Sequence, residues 1–252
     1  MAEAKVAIVT GGSRGIGRAI VQRLAADGFR VLFTYASREA DARATADSVR
    51  AAGGTARALQ ANVAESLAAK GVVSTALDDW GRIDVLVNNA GTHLPGRALA
   101  DTPPDQWDRV LRTNLYGPFH LVQAVLPAMR AQKRGQIVNL SSNVTRRLPA
   151  NYGVYTVSKA ALEAFTTIHA KEEGPNGIRV NAVGPGPIRT DMLEEALAAM
   201  GPEKAQAFLQ SVPLRRAGEP REIADVVAFL VSDAAAYMTG QVVFVNGGGP
   251  GG

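Results

Sequence analysis

The chain has no cysteine and only three histidines in 252 residues. Without cysteine there is no disulfide framework, no thiol nucleophile and no thiolate metal site. His93, His120 and His169 are far apart and lack metal-ligand spacing, so no metal centre is expected. No uninterrupted apolar run is long enough to span a bilayer, and no membrane role is expected. A strand-like run starts inside the opening "MAEAKVAIVTGG", leaving no room for a signal peptide; a soluble cytoplasmic protein is expected. Long blocks of one charge are also missing. The net charge is +4 and the pI near 9.6, with basic residues dispersed apart from pairs such as Arg146-Arg147 and Arg215-Arg216. That excess suits solvation and the attraction of small anions, and it is not a nucleic-acid footprint. What remains is ordinary globular composition, 46% hydrophobic and 20% charged, in a chain long enough for a sizeable core.

Short apolar runs rich in β-branched residues predict strands at 5–10, 30–35, 55–60, 83–88, 135–141, 178–183 and 241–246. Several are apolar on both faces, as in a parallel sheet covered by helices. Helical patterns fill 15–27, 39–52, 65–80, 103–132, 153–173 and 220–232. Thr102 before Pro103-Pro104 reads as an N-cap followed by first-turn proline. The alternation predicts one doubly wound α/β domain over residues 1–252. Residues 187–215 depart from it as an insertion after the sixth strand, either a lid over a ligand crevice or a peripheral helical pair. The closing "NGGGPGG" reads as a loose tail.

"TGGSRGIG" (10–17) follows the first strand and opens a helix. Gly11, Gly15 and Gly17 allow a tight turn, close approach to a phosphate and close helix–strand packing. The helix N-terminus supplies unpaired N–H groups for a pyrophosphate. Further on, "YTVSK" sets Tyr155 one helical turn before Lys159. The bland reading is a surface pair; the sharper one is a phenol whose proton can be moved.

These motifs together resemble the short, single-domain branch of the short-chain dehydrogenase/reductase family. The likeness runs from about residue 5 to 248. It rests on "TGGSRGIG", on "NNAG" (88–91), on Asn114 in "RTNLYG", on Ser142 thirteen residues before Tyr155, on Tyr-x-x-x-Lys, and on "GPGPIRT" (184–190). The overall pattern is similar to 3-oxoacyl-acyl-carrier-protein reductases. The resemblance implies a Rossmann fold, a seven-stranded parallel sheet with helices on both faces. It implies catalytic roles for Ser142, Tyr155, Lys159 and Asn114, with Asn114 holding a water that links Lys159 to solvent. It also implies a dinucleotide held by Gly11, Ser13, Arg14, Gly15, Ile16, Gly17, Ser37, Arg38, Asn62, Val63, Asn89, Gly91, Tyr155, Lys159, Pro185, Gly186, Ile188 and Thr190.

The residue chemistry fits that expectation. Hydride transfer to a carbonyl leaves an oxyanion that needs a proton, and a general acid works best near the ambient pH. Free tyrosine lies about three units too high; the neighbouring Lys159 is expected to lower it. Ser142 is expected to donate to the substrate oxygen, while Ser141 points away by strand alternation. Tyr152 has threonine at i+4 and is the weaker candidate. The second strand ends "FTYASRE", with no carboxylate at 33–37 for a ribose, but with Ser37, Arg38 and the loop's Arg14 to surround a 2′-phosphate. The cofactor is therefore expected to be NADP(H).

The expected activity is reduction of a ketone or 3-oxoacyl compound, free or as an acyl thioester. A sugar- or steroid-type alcohol dehydrogenase and a non-catalytic NADP-sensing regulator are the alternatives. Candidate substrate contacts are His93, Asn151, Tyr152, Met192 and Leu193, with Leu197 and Met200 extending the apolar wall. A homotetramer is expected by resemblance, through helix faces carrying Leu121, Val125, Leu162 and Phe165 and through the last strand. The cluster Arg130, Lys133 and Arg134 offers weak recognition of an acyl carrier protein.

Overall fold

The structure, a computed structural model, describes residues 4–94 and 96–249. The tail expected at 246–252 therefore lies partly outside the described residues.

Among the described residues, seven strands form one sheet: β1 (Val6–Val9), β2 (Arg30–Tyr35), β3 (Thr55–Gln60), β4 (Val85–Asn88), β5 (Gly135–Leu140), β6 (Ile178–Pro185) and β7 (Val242–Val245). All pairings are parallel, in the order β3-β2-β1-β4-β5-β6-β7. Every residue of β1, β4 and β5 is buried, because helices cover both faces. The edge strand β3 instead alternates exposed and half-buried positions.

The period of two along β1 divides the core. Ala7 and Val9 face one layer, built on α1 (Gly15–Ala26), α2 (Glu39–Ala51) and a late helix at Pro220–Val231. Ile8 faces the other, built on α3 (Ser66–Trp80) and the helix Gly117–Gln132. The chain winds from β1 out to β3, returns to β4 beside β1, and continues to the far edge. A crevice opens where those two directions part, beyond the C-terminal ends of β1 and β4.

The helix expected over 103–132 is broken. It comprises α4 (Pro104–Leu111), a π-helical turn at Arg112–Tyr116, and α5 (Gly117–Gln132). The cause is at Asn114, which is fully buried. Its side chain accepts from Thr92 N (2.8 Å) and donates to Thr92 O (2.9 Å) and Ser158 Oγ (2.9 Å). Widening the helix by one residue lets the amide reach sideways, as π-turns at functional sites commonly do. Thr102 does not cap α4; its hydroxyl donates to Ala98 O, and Pro103 holds the cap position.

Leu121, Val125 and Leu162 are buried within the chain, so they do not form the external face expected of them. Leu121 and Val125 pack inward in the core on that face of the sheet, and Phe165 is partly buried against the same cluster. The apolar residues left exposed on these helices are Tyr116, Phe119, Val157 and Ile168. After β5 come α6 (Val144–Arg147) and the long α7 (Gly153–Glu173). The 187–215 segment contains no strand but two helices, α8 (Asp191–Met200) and α9 (Pro202–Ser211), hinged at Gly201, ahead of α10 (Pro220–Val231). Neither α8 nor α9 has a buried residue, so both pack loosely.

Candidate active site

The glycine loop is shaped by two requirements. Gly15 has φ +53°, a left-handed conformation that costs glycine little. A Cβ on Gly17 would collide with the Gly11 carbonyl, so α1 can start this close to β1 only with glycine there. No side chain caps α1, which leaves its first N–H groups to meet an anion. Thr10 ties this loop to the next strand end: its Oγ1 accepts from Asn89 N (3.0 Å) and Ala90 N (2.9 Å). Asn89 Nδ2 answers with bonds to Thr10 O (2.8 Å) and Gly11 O (3.1 Å). The sequence reading missed Thr10; a hydroxyl residue closing β1 just before the glycines was its signal.

A cleft of about 630 Å³ runs along the C-terminal ends of the strands. All the residues expected around a dinucleotide line it, from Gly11 to Thr190. Asn62 also closes a turn of its own, accepting from Ala64 N (3.2 Å) and donating to Glu65 (3.0 Å). The glycine cradle, the uncapped helix end and the Arg14, Ser37 and Arg38 cluster match the shape and charge of a phosphorylated dinucleotide.

Ser142, Tyr155 and Lys159 meet on the cleft floor. Ser142 lies just past β5, and Tyr155 and Lys159 project from the first turns of α7. Burial of the phenol oxygen raises the Tyr155 pKa; the neighbouring Ser142 hydroxyl opposes this and Tyr152 adds to the rise. The expected lowering by Lys159 is therefore overturned for the protein itself. The Lys159 ammonium lies 5.8 Å from the centre of the Tyr155 ring and donates to Leu140 O at 2.6 Å. Lys159 is only 4% exposed, and burial pushes its own pKa down to about 8.

Ser141 turns from Ser142, donating to Glu163 Oε1 (2.6 Å). The same oxygen accepts from Thr145 Oγ1 (2.8 Å), and that hydroxyl also reaches Ser142 O (2.9 Å). Glu163 thus braces the turn that presents Ser142, a role its place one turn after Lys159 signals only once Ser141 is known to face α7. Asn114 does not line the cleft; it stands behind it, bonded to Ser158 next to Lys159.

On the substrate side His93 sits edge-on to Tyr155, with ring centres 6.3 Å apart. Burial lowers its pKa against the pull of Glu195 on α8, which favours the neutral ring. Tyr152, Met192, Leu193 and Met200 line the cleft, joined by Ala196 and Phe208, which the sequence reading missed. Leu197 and Asn151 do not line it. Leu197, one turn after Leu193, is half-buried at the margin of that face of α8, and Asn151 is held left-handed (φ +64°) with its carbonyl accepting from Arg97 N. Asp191 was also missed: it forms ion pairs with both Arg14 and Arg38.

This architecture has well-described counterparts. The family described as enoyl-(acyl carrier protein) reductase matches residues 11–249. A 3-oxoacyl-(acyl-carrier-protein) reductase of Staphylococcus epidermidis is 41% identical over 244 residues, covering 97% of this chain and 98% of its own. The chain belongs to the short-chain dehydrogenase/reductase family, and it is an oxidoreductase. Among solved structures of that family, levodione reductase superimposes with a TM-score of 0.92 at 34% identity, covering 98% of this chain and 97% of its own. A blue fluorescent protein from a metagenomic library, solved with NADPH, gives 0.88 at 39% identity, covering 98% of each chain. Among the described residues no helix is long and apolar enough to cross a membrane.

Proposed function

We propose that the chain is an NADPH-dependent reductase that converts a carbonyl, of the 3-oxoacyl type or a related ketone, to a secondary alcohol. The observation that carries this reading is the meeting of Ser142, Tyr155 and buried Lys159 on the floor of one cleft. The relative of known name acts on 3-oxoacyl groups, and a structural neighbour holds NADPH.

Bound in the cleft, the dihydronicotinamide supplies hydride to the carbonyl carbon. The protein's own residues do the rest. The Ser142 and Tyr155 hydroxyls donate to the carbonyl oxygen and stabilise the negative charge that develops there. Tyr155, whose raised pKa keeps it fully protonated at neutral pH, gives its proton to that oxygen. Lys159 holds cation and donor beside the phenol and bonds the nicotinamide ribose. Asn114, held by Thr92 and Ser158, leads from Lys159 toward solvent for proton return. Gly11, Ser13, Gly15, Ile16 and Gly17 take the pyrophosphate; Arg14, Ser37 and Arg38 take the 2′-phosphate; Asn62 and Val63 flank the adenine. Asn89, Gly91, Pro185, Gly186, Ile188 and Thr190 complete the nicotinamide side. His93, Tyr152, Met192 and Leu193 contact the substrate.

The reading includes a homotetramer, for which exposed Tyr116, Phe119, Val157 and Ile168 supply an apolar helix face. Recognition of an acyl carrier is weak. Arg130 is chelated by Glu173 and Arg134 is paired with Asp233, so two of the three cations are already engaged.

The matched family and the 3-oxoacyl relative name different bonds, C=C and C=O. Hydride addition puts charge on an oxygen in both, an enolate oxygen in the first and an alkoxide in the second, but only in the second does the proton end on that oxygen, where Tyr155 and Ser142 would deliver it. The test supplies NADPH with a 3-oxoacyl thioester and, separately, a 2-enoyl thioester, with product identification. Formation of the 3-hydroxyacyl product alone is expected. Reduction of the enoyl compound only would overturn the reading.

A further inference from the structure

Arg14 follows from the glycine loop and Arg38 from the end of β2, yet both lead to one oxygen on a third segment. Arg14 Nη1 is ion-paired with Asp191 Oδ2, and Arg38 Nη1 stands 3.5 Å from the same atom. Arg38 also meets Asp41 at 3.4 Å, while Asp191 is the only carboxylate paired with Arg14 among the described residues. Asp191 is the first residue of α8, and Thr190 beside it packs 3.2 Å from where a Cβ of Gly15 would lie. The start of the helix that walls the substrate pocket is thus tied to the two guanidiniums that would receive a 2′-phosphate.

We propose that Asp191 is a specificity-determining residue, an internal carboxylate that competes with the 2′-phosphate of the nucleotide for Arg14 and Arg38. The proposal rests on the reading of those arginines as the phosphate site. A phosphate monoester carries nearly two negative charges at neutral pH against one on Asp191, and it offers three acceptor oxygens. It therefore wins the exchange. The arginine–aspartate pairs are about half exposed, so they hold the guanidiniums only modestly. The net gain from the phosphate is what remains after those pairs are given up. A nucleotide without the phosphate leaves them in place. Asp191 accordingly reduces the preference for NADPH, and phosphate binding loosens the N-terminus of α8.

The test is calorimetric titration with adenosine 2′,5′-bisphosphate, 5′-AMP and NADH on the wild type, Asp191→Asn, Asp191→Glu and Arg14→Ala/Asp191→Asn. Asp191→Asn is expected to bind the bisphosphate about two- to fivefold more tightly, the range that an exposed pair permits. It should bind NADH within about twofold of the wild type. Asp191→Glu should stay near the wild type, and the Asn effect should shrink when Arg14 is absent. In hydrogen exchange, the bisphosphate should speed the amides at 192–195 in the wild type but not in Asp191→Asn. An Asn variant that leaves bisphosphate affinity and α8 exchange unchanged overturns the proposal. So does one that weakens all nucleotides alike, since Asp191 would then be a strap for the fold. A wild type that binds the bisphosphate no tighter than 5′-AMP removes the phosphate site itself, a separate failure that takes the proposal with it.

Discussion

The two ends of the cleft are built on different physics. At the catalytic end, Lys159 and Asn114 are buried, and Asn114 spends its amide in three bonds of 2.8–2.9 Å. At the other end, Arg14, Arg38 and Asp191 are about half exposed, so solvent screens their pairs. A buried polar group costs heavily if its partner is lost, whereas an exposed pair contributes little. Substitutions are therefore expected to cost more at the buried end than at the exposed one. In the proposed reading, the chemistry sits at the first end and discrimination by charge at the second.

The largest effect that sharpens this contrast is expected at Lys159. Lys159→Met should lower kcat/KM by about 10²–10⁴-fold, the range for loss of an acid–base group. The same variant should be more stable than the wild type. Burial brings the lysine from an ordinary value of 10.5 to about 8, which costs about 3 kcal/mol at neutral pH. The folded pKa lies below the unfolded one, so the unfolded chain binds more protons between pH 8 and 10.5. Stability of the wild type therefore climbs as pH rises through that window, and the cost is complete below it. Urea unfolding of both proteins at pH 7 and pH 10 should show an advantage for the Met variant that shrinks at the higher pH. An advantage independent of pH would mean that the ammonium is not what burial penalises. For the free enzyme, kcat/KM for NADPH should fall as pH passes about 8 and Lys159 loses its proton.

Asn114→Ala comes next. It strips partners from Thr92 and Ser158 in a site with no exposure, so a loss of about 1–3 kcal/mol is expected in urea unfolding. A loss of only a few tenths would mean that the π-turn is held by its backbone alone. The smallest change is expected at the other end. Arg38→Ala should weaken NADPH by about 2–5-fold and leave NADH nearly unaffected, because an exposed guanidinium contributes no more than that. Its effect should fade with added salt, unlike the losses at the buried end. No loss for either cofactor would show that Arg38 points into solvent, and equal losses would show that it does not act on the 2′-phosphate.

Much of this architecture was legible in the sequence. Most strands were readable because their apolar runs are short, β-branched and covered on both faces, as in β2; the exposed edge strand β3 also falls at the expected position although its run is neither. Ser142, Tyr155 and Lys159 were readable because a strand end and one helical turn place them, and both are local features. What escaped depends on distance. The π-turn arises from Asn114 reaching Thr92, twenty-two residues away, and nothing in the helical period of 103–132 announces it. Asp191 lies 177 residues from Arg14, so its competition for that side chain appears only once the fold brings them together. The pKa of Tyr155 was misread for a related reason. Sequence shows the neighbouring charge but not the depth of burial, and burial is the larger influence.

If Tyr155 is the proton donor for carbonyl reduction, Tyr155→Phe should remove the reaction and spare cofactor binding. The measurement is kcat for NADPH-dependent reduction of a 3-oxoacyl thioester, set beside the NADPH dissociation constant, with Tyr152→Phe as the companion variant. Tyr155→Phe is expected to lose at least about 10²-fold in kcat while binding NADPH within about threefold of the wild type, and Tyr152→Phe to keep most of its kcat. A Tyr155→Phe enzyme that retains a substantial share of wild-type kcat, or a Tyr152→Phe enzyme that is equally impaired, would contradict the account.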